Sequence, residues 1–358
     1  MDRIVETKLW NVDKNVEDLE SCSQVVDAAH LIREGELVAF PTETVYGLGA
    51  NAFSDEAVEK IYHAKGRPSD NPLIVHIGDM DQLHEVAREV PEMAYPLIER
   101  FWPGPLTLLL PKAEKIATQV TKLDTVGVRM PDHPLALALI RAARVPIAAP
   151  SANRSGRPSP TMAEHVRQDL DGRIAAILDG GETGVGVEST VLDLTVSPPM
   201  ILRPGGITRE QLHEVLGDVA IDPAFEAKAE HVPRSPGMKY THYAPQGELW
   251  LVDGSPEQAQ KKMEELIREA KANGLSTGVL ATDETIGAWR KNGLVDAVLS
   301  CGSRQDPSSI AQLLYARLRE FDDLGIQYMV GETFPKQGLG MAVMNRLEKA
   351  AGGRIISV

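Results

Sequence analysis

The sequence predicts two α/β domains joined by an irregular segment. The chain has 358 residues, roughly twice the length of a typical domain of about 150 residues. Short apolar runs alternate with helical patterns in both halves, which is typical of sheets flanked by helices. Between them, repeated prolines interrupt any regular pattern. We therefore expect a first domain at residues 1–216, a linker at 217–247 and a second domain at 248–358.

The opening elements of the first domain follow from apolar spacing and from the residues that end each pattern. A helical pattern at residues 25–32 stops at a glycine, and a strand pattern at 37–40 stops at a proline. Ser54 is a favourable N-cap for the next helix, which begins with two acidic residues. This helix places Lys65 and Arg67 together at its C-terminal end.

Later strands of the first domain are short apolar runs bounded by turn residues. Polar side chains follow or end several of these runs, and open sheets commonly bind ligands at strand ends. The predicted strands are residues 73–77, 146–150, 175–178, 189–194 and 200–203.

The second domain repeats the alternation on a smaller scale. Its clearest helix is predicted near residues 308–324, where Ile310, Leu314 and Leu318 fall on one stripe. We expect a small Rossmann-like domain from this order of elements. The predicted strands are residues 248–252, 278–281, 297–299 and 327–330.

Composition and charge restrict the function. The formal net charge is −14, which argues against a protein that coats nucleic acid through Lys and Arg. Cys22 and Cys301 are the only cysteines, too few for a disulfide framework or a four-ligand zinc site. The polar N-terminus and the absence of a long apolar run predict a cytoplasmic protein.

Glycines at residues 47–52 match the loose G-x-G-x-x-A pattern of dinucleotide sites. The match is poor in context because the next helix begins only near Ser54, so no helix N-terminus receives a pyrophosphate. A tight turn that lets the backbone approach a ligand or a neighbouring strand is the better interpretation. The Walker A pattern is absent, so phosphates would have to be bound by side chains.

Lys65 and Arg67 form a plausible phosphate clamp. Arg supplies a planar fork and Lys a mobile charge, although such a pair alone is more typical of a solvated helix end. His76 alone would similarly be interpreted as a buried structural histidine. The functional interpretation rests on the many polar residues expected at neighbouring strand ends: Thr42, Glu43, Thr44, Asn71, His76, Arg129, Ser151, Asn153, Ser159, Ser189 and Arg203.

The first domain contains a series of short motifs: Pro41-Thr42-Glu43-Thr44-Val45-Tyr46-Gly47-Leu48, Lys65-Gly66-Arg67-Pro68, Asn71-Pro72-Leu73-Ile74-Val75-His76, Trp102-Pro103-Gly104-Pro105, Val128-Arg129-Met130-Pro131, Ala149-Pro150-Ser151-Ala152-Asn153 and Gly186-Val187-Glu188-Ser189-Thr190. In this order, the motifs resemble those of the threonylcarbamoyl-AMP synthases, the YrdC-domain enzymes. The resemblance implies a YrdC-like twisted open sheet with flanking helices, and residues 236–245 resemble the linker of the long form, which carries a Rossmann-like C-terminal domain.

The resemblance implies a nucleotidyltransferase that makes L-threonylcarbamoyladenylate and pyrophosphate from L-threonine, bicarbonate or CO2, and ATP with Mg²⁺. This is the first step of tRNA threonylcarbamoyladenosine synthesis. The product would pass to the downstream transferase machinery, with weak or no direct tRNA binding and no membrane association. No metal cage of protein ligands is expected.

The resemblance also implies roles for individual residues. Threonine would be bound by Thr44, His76, Arg129, Ala149 and Ser189. ATP would be bound by Lys65, Arg67, Asn71, Thr125, Ser151, Asn153, Ser159, Arg203 and Tyr243. Separately from the resemblance, the clustering of Tyr240, His242 and Tyr243 suggests that the linker forms a lid over the nucleotide; alternatively, these residues only anchor the linker to the first domain.

Two other functions compete with this one. A non-catalytic RNA-binding YrdC-like module is the main alternative, although the acidic net charge and the absence of Lys and Arg runs argue against it. A carbamoyl-transfer maturation protein also contains a YrdC-like domain, but it would need zinc-finger cysteines that two cysteines cannot supply.

Overall fold

A computed structural model describes residues 6–13, 15–223 and 242–358. The contacts divide the chain into two compact units. The first unit lies within Met1–Ser155 and Ser159–Tyr240, and the second comprises Gly156–Pro158 together with Thr241–Val358. Tyr240 and most of the predicted linker lie outside the described residues.

The first unit is a mixed α/β structure, as predicted, with a large twisted sheet and flanking helices. Its helices are α1 (Ser23–Arg33), α2 (Asp55–Lys65), α3 (Met80–Val86), α4 (Ala94–Phe101), α5 (Pro134–Ala143), α6 (Ala163–Leu170) and α7 (Arg209–Leu216). Its strands are β1 (Lys8–Asn11), β2 (Val38–Phe40), β3 (Gly47–Asn51), β4 (Ile74–His76), β5 (Leu106–Pro111), β6 (Thr125–Arg129), β7 (Ile147–Ala148), β8 (Ala176–Asp179), β9 (Thr190–Asp193), β10 (Met200–Arg203) and β11 (Ala220–Ile221).

The strands of the first unit form one sheet in the order β1-β8-β2-β3-β7-β4-β6-β5-β9-β10-β11. Pairing is mixed: β4 runs parallel to β6 and β5 parallel to β9, whereas β5 and β6 are antiparallel. The edge strand β11 lies inside the stretch predicted as linker and pairs with β10. The β4, β5 and β6 strands carry His76, Thr107, Thr125 and Arg129, which are considered below.

Helix α2 forms where its capping residues predict it. The Ser54 side chain accepts a hydrogen bond from the backbone N–H of Ala57 at 3.2 Å, which satisfies one of the otherwise unpaired donors of the first turn. Ala57, Val58 and Ile61 are buried on its inner face. Lys65 is its last residue, as the sequence predicted.

The glycine-rich segment at residues 47–51 corrects one prediction. It is strand β3, paired with β2 and β7, and not a tight turn. A Cβ atom at Gly49 would lie 2.8 Å from the side chain of Ile147 and 2.9 Å from that of Phe40. Close approach to a neighbouring strand was therefore correctly predicted, and packing is the reason for the glycine.

The second unit contains a parallel sheet in the order β14-β13-β15-β12-β16. Its order of alternating strands and helices agrees with the Rossmann-like prediction. Its strands are β12 (Glu248–Asp253), β13 (Thr277–Ala281), β14 (Ala297–Ser300), β15 (Tyr328–Glu332) and β16 (Ile355–Ser357), and its helices are α8 (Pro256–Ala272), α9 (Ile286–Asn292), α10 (Pro307–Asp323) and α11 (Gly340–Ala350).

Residues 156–158 belong to the second unit although they come from the middle of the sequence. The Pro158 carbonyl accepts hydrogen bonds from Nε and Nη2 of Arg319 at 3.1 and 2.6 Å. The Gly156 carbonyl accepts one from the amide of Ala244 at 2.9 Å. Arg319 is buried, so these bonds satisfy part of a charged group that is withdrawn from water.

No helix within the described ranges is both long enough and apolar enough to cross a membrane.

Candidate active site

One face of the first unit's sheet carries several of the candidate site residues. Because β4 and β6 are parallel, His76 pairs directly with Arg129 at their carboxyl ends. Side chains alternate along a strand, so Thr125 and Gly127 share a face with Arg129. A shallow cleft on this face is lined by Pro72, Leu73, Ile74, Thr107, Leu109, Thr121, Thr125, Gly127 and Val191.

Arg129 is the buried cation of this face. Its Nε donates to the Gly104 carbonyl at 3.2 Å and its Nη1 to the Thr44 hydroxyl at 3.0 Å. Its Nη2 forms an ion pair with Glu43, whose side chain is 11% exposed. The pair is close but lacks hydrogen-bond alignment, and Nη2 makes no hydrogen bond. Arg129 therefore keeps part of its fork available for an anion.

His76 lies beside Arg129 as an uncharged histidine. Burial, reinforced by the positive charge of Arg129, lowers the pKa of His76 to about 3. Its Nδ1 is buried and makes no hydrogen bond with a described residue. The ring can therefore offer a ligand a hydrogen-bonding nitrogen without adding charge.

Ser189 is fixed by two partners just before β9. Its hydroxyl lies 2.7 Å from that of Thr107. Arg203 donates to the Ser189 carbonyl from Nε and Nη2 at 3.0 and 2.9 Å, and to the hydroxyl at 3.1 Å. Thr107 was not predicted as a site residue, because Leu-rich β5 reads as core. The available signal was a lone Thr within the run Leu106–Leu110.

Asn71 and Thr125 lie toward the other end of the face. Asn71 is buried, and its Oδ1 accepts no hydrogen bond from a described residue. Thr125 begins β6 and Arg129 ends it, a separation of about 13 Å for an extended strand. A Cβ at Gly127 would lie 3.1 Å from Thr107, so the glycine keeps the floor of the cleft low between the two ends.

Lys65 and Arg67 occupy different environments despite being two residues apart. Lys65 is 2% exposed, and its ammonium donates to the carbonyls of Ser151 and Asn153. Arg67 is half-buried and donates from Nη2 to the carbonyls of Asn71 and Pro72 at 3.4 and 3.3 Å. The structure thus brings Lys65, Ser151 and Asn153 together, with Lys65 bonded to the backbone.

The remaining predicted residues of the first unit are also held by hydrogen bonds. The Ser159 hydroxyl donates to the buried Glu188 carboxylate at 2.6 Å. The Ala149 amide donates to the Ile74 carbonyl at 2.9 Å, so β4 occupies that donor. Glu188 was not predicted as a site residue, although it lies within one of the quoted motifs.

Tyr243 and His242 belong to the second unit. Tyr243 is buried and stacks on Tyr315, with ring centroids 5.3 Å apart and the Arg346 guanidinium 5.4 Å from its ring. Its φ of 65° lies in the left-handed region, which is uncommon for an aromatic residue and often marks a functional segment. Within the described residues, no group of three or more His, Cys, Asp or Glu side chains could hold a metal.

The chain was compared with known proteins. It matches a family model of Sua5, YciO and YrdC, described as telomere recombination, over residues 30–205, and one of the threonylcarbamoyl-AMP synthase C-terminal domain over residues 207–352. Threonylcarbamoyl-AMP synthase of Bacillus subtilis is 54% identical over 98% of this chain and 100% of its own length. That of Schizosaccharomyces pombe is 41% identical over 93% and 89%, respectively. The crystal structure of Pyrococcus abyssi Sua5 complexed with L-threonine is 49% identical, with a TM-score of 0.91 over 98% of this chain and 100% of that one.

Proposed function

The chain belongs to the family of threonylcarbamoyl-AMP synthases, and we propose that the sheet face of its first unit binds both L-threonine and ATP. It is an enzyme that makes L-threonylcarbamoyladenylate, the first step of tRNA threonylcarbamoyladenosine modification. Relatives aligned over the full chain are named as synthases, so the non-catalytic RNA-binding alternative is not favoured. The observation that carries the assignment is the pairing of His76 with Arg129 in a buried face whose polar atoms are incompletely bonded.

We assign threonine to the Arg129 end of this face. The guanidinium of Arg129, whose Nη2 makes an ion pair with Glu43 but no hydrogen bond, suits the substrate carboxylate. Thr44 and Ser189 present hydroxyl groups nearby in the same hydrogen-bond network, and neutral His76 offers Nδ1. The threonine site would comprise Thr44, His76, Arg129, Ala149 and Ser189.

The nucleotide is assigned to the Asn71 and Thr125 end. Lys65 would act mainly by fixing the Ser151–Asn153 turn, because its ammonium is bonded to that backbone. Arg67 is half-buried and is better placed to meet phosphate. The proposed ATP-binding residues are Lys65, Arg67, Asn71, Thr125, Ser151, Asn153, Ser159, Arg203 and Tyr243, with Tyr240 and His242 as linker lid residues.

Catalysis in this proposal comes from position and charge. The threonine nitrogen must meet carbon from bicarbonate or CO2, and the resulting carbamate must attack the α-phosphorus as pyrophosphate leaves. A buried cationic face can hold these groups in line and stabilise developing negative charge. No covalent nucleophile is required. Mg²⁺ would accompany ATP on its phosphate oxygens, which are its usual ligands in nucleotide enzymes.

The division of labour along the chain is also a proposal. Residues 1–216 would carry the chemistry, 217–247 would close over the nucleotide, and 248–358 would form a separate Rossmann-like domain. The product would pass to the downstream transferase, so the enzyme needs no strong tRNA-binding surface of its own. A closing linker would protect the acyl-adenylate from hydrolysis.

The decisive experiment is mass-spectrometric detection of threonylcarbamoyl-AMP from purified protein with threonine, bicarbonate and Mg-ATP. We expect the product and stoichiometric pyrophosphate, both dependent on threonine. The matched control omits threonine from the same preparation. A folded sample that binds RNA tightly but consumes no ATP in response to threonine would overturn the proposal.

A further inference from the structure

Glu43 is a buried carboxylate whose hydrogen-bonding capacity is unused. Both of its oxygens are buried, and neither accepts a hydrogen bond from a described residue. Its ion pair with Arg129 lacks hydrogen-bond alignment. A buried carboxylate normally accepts several hydrogen bonds, because withdrawing its charge from water is otherwise costly. Glu43 therefore lacks donors that a ligand could supply.

The backbone holds Glu43 firmly in this place. Its carbonyl accepts a hydrogen bond from the Val185 amide at 2.7 Å, and the Thr44 carbonyl accepts one from Gly186 at 3.1 Å. The Thr42 hydroxyl also accepts from the amides of Thr44 and Val45 at 3.2 and 3.3 Å. The unsatisfied carboxylate thus lies on a braced turn and not on a free loop.

The charges around Glu43 favour a cationic group on the ligand. Arg129 supplies one positive charge, while Glu43 and Asp132 are both acids. Burial, and then the charge of Glu43, raise the pKa of Asp132, which indicates that the two carboxyl groups lie close together. An α-amino acid carries an ammonium group beside its carboxylate. Its ammonium group is opposite in charge to Glu43, and its carboxylate is opposite in charge to Arg129.

We propose that Glu43 binds the ammonium group of the amino-acid substrate while Arg129 binds its carboxylate. The proposal rests on the threonine site assigned above. The substrate inserts between the two misaligned partners and supplies hydrogen bonds that they do not make to each other. Glu43 thereby selects a primary ammonium and fixes the position of its nitrogen in the site.

A competing role for Glu43 predicts the opposite change in threonine affinity. If Glu43 only neutralised Arg129, it would compete with the threonine carboxylate, and its removal would tighten threonine binding. The test compares threonine with (R)-3-hydroxybutyrate, which lacks the amino group, by calorimetry on wild type and Glu43→Gln. Glu182→Gln, on an exposed carboxylate, is the matched control.

We expect Glu43→Gln to weaken threonine binding roughly tenfold or more, since a charged hydrogen bond is lost. Binding of (R)-3-hydroxybutyrate should not weaken, and Glu182→Gln should change neither ligand. Tighter threonine binding, or equal weakening of both ligands, would overturn the proposal. If Glu43→Gln fails to fold, Glu43→Asp takes its place. Glu43→Asp should bind threonine more weakly than wild type does, but it should still prefer threonine to (R)-3-hydroxybutyrate. Loss of that preference without weaker threonine binding would overturn the proposal. Absence of threonine binding by wild type would instead refute the proposed function.

Discussion

The polar residues on the sheet of the first unit contrast with those on the sheet of the second. In the second unit, acids follow the carboxyl ends of the strands but already have partners: Glu332 pairs with Arg304, and Asp283 accepts from Ser300 at 2.5 Å. Glu284 accepts from Ser303 at 2.7 Å. In the first unit, Glu43, Asn71 and His76 keep buried atoms without hydrogen bonds.

This contrast separates two uses of buried polar groups. A satisfied cluster stabilises its own fold, whereas unsatisfied buried atoms cost folding free energy that a ligand can recover. Both sheets place polar groups at strand ends, so position alone does not identify the binding site. Among the strand-end groups, completion of hydrogen bonds is the distinguishing observation, although Trp289 Nε1 and Asp322 Oδ2 of the second unit are also buried without a hydrogen bond.

Replacement of Arg129 should have the largest effect. Arg129→Ala should lower kcat/KM for threonine. The loss should correspond to about 2–5 kcal/mol of transition-state binding, because the substitution removes one partner of a buried charge interaction. Arg129→Lys should recover little, since the fork is lost. The matched control is Arg304→Lys in the second unit, measured in the same pyrophosphate assay. Near-normal threonine kinetics in Arg129→Ala would contradict the proposed functional difference between the two sheets.

Replacement of Lys65 should mainly lower stability, whereas replacement of Arg67 should mainly impair ATP kinetics. Arg67→Ala should raise KM for ATP and raise the activation free energy of turnover by about 2.7–4 kcal/mol, with a smaller effect on unfolding because Arg67 is half-buried and its hydrogen bonds to carbonyls are long. Lys65→Ala should lower the free energy of unfolding by about 1–3 kcal/mol, because it leaves backbone carbonyls without a donor. Denaturant unfolding and ATP kinetics on both variants test this. Identical behaviour of the two variants would contradict the distinction.

The acid cluster of the second unit should matter for stability and not for chemistry. Burial raises the pKa of Glu332, an effect that its ion pair with Arg304 opposes. Glu332→Gln should lower the stability of this unit by about 1–3 kcal/mol, since it leaves Arg304 without its carboxylate. Calorimetric unfolding should show the loss, while kcat/KM stays within about twofold. A large kinetic defect would place function in the second sheet.

His76 should make the stability of the protein depend on pH. The folded state keeps His76 neutral down to about pH 3, whereas the unfolded chain protonates it near its ordinary pKa of 6.5. Protons therefore favour unfolding, and stability should fall below pH 6.5 by up to about 1.4 kcal/mol per pH unit. Urea unfolding at several pH values should show a weaker slope in His76→Gln. An unchanged slope would mean that His76 binds protons alike in the folded and unfolded states, which would contradict the lowered pKa.

The sequence predicted the α/β fold class because apolar runs bounded by proline and glycine are local signals. It missed β3 because the glycines there serve packing against Ile147 and Phe40, which are distant in sequence. The surroundings of Lys65 could not be predicted for the same reason, since its partners lie 86 and 88 residues away. The types of the site residues could be predicted from the sequence. The sequence did not show which of their atoms lack hydrogen-bond partners.

The three residues Gly156–Pro158 have a consequence for truncation. A chain cut between residues 223 and 242 would retain this tripeptide but lose Arg319 and Ala244, which donate to its carbonyls. The segment directly precedes Ser159, so the shortened protein would be altered next to a proposed ATP ligand. Inactivity of such a fragment would not show that the missing portion performs chemistry. Because the second unit includes residues from the middle of the sequence, a single cut in the chain cannot divide the protein into its two units.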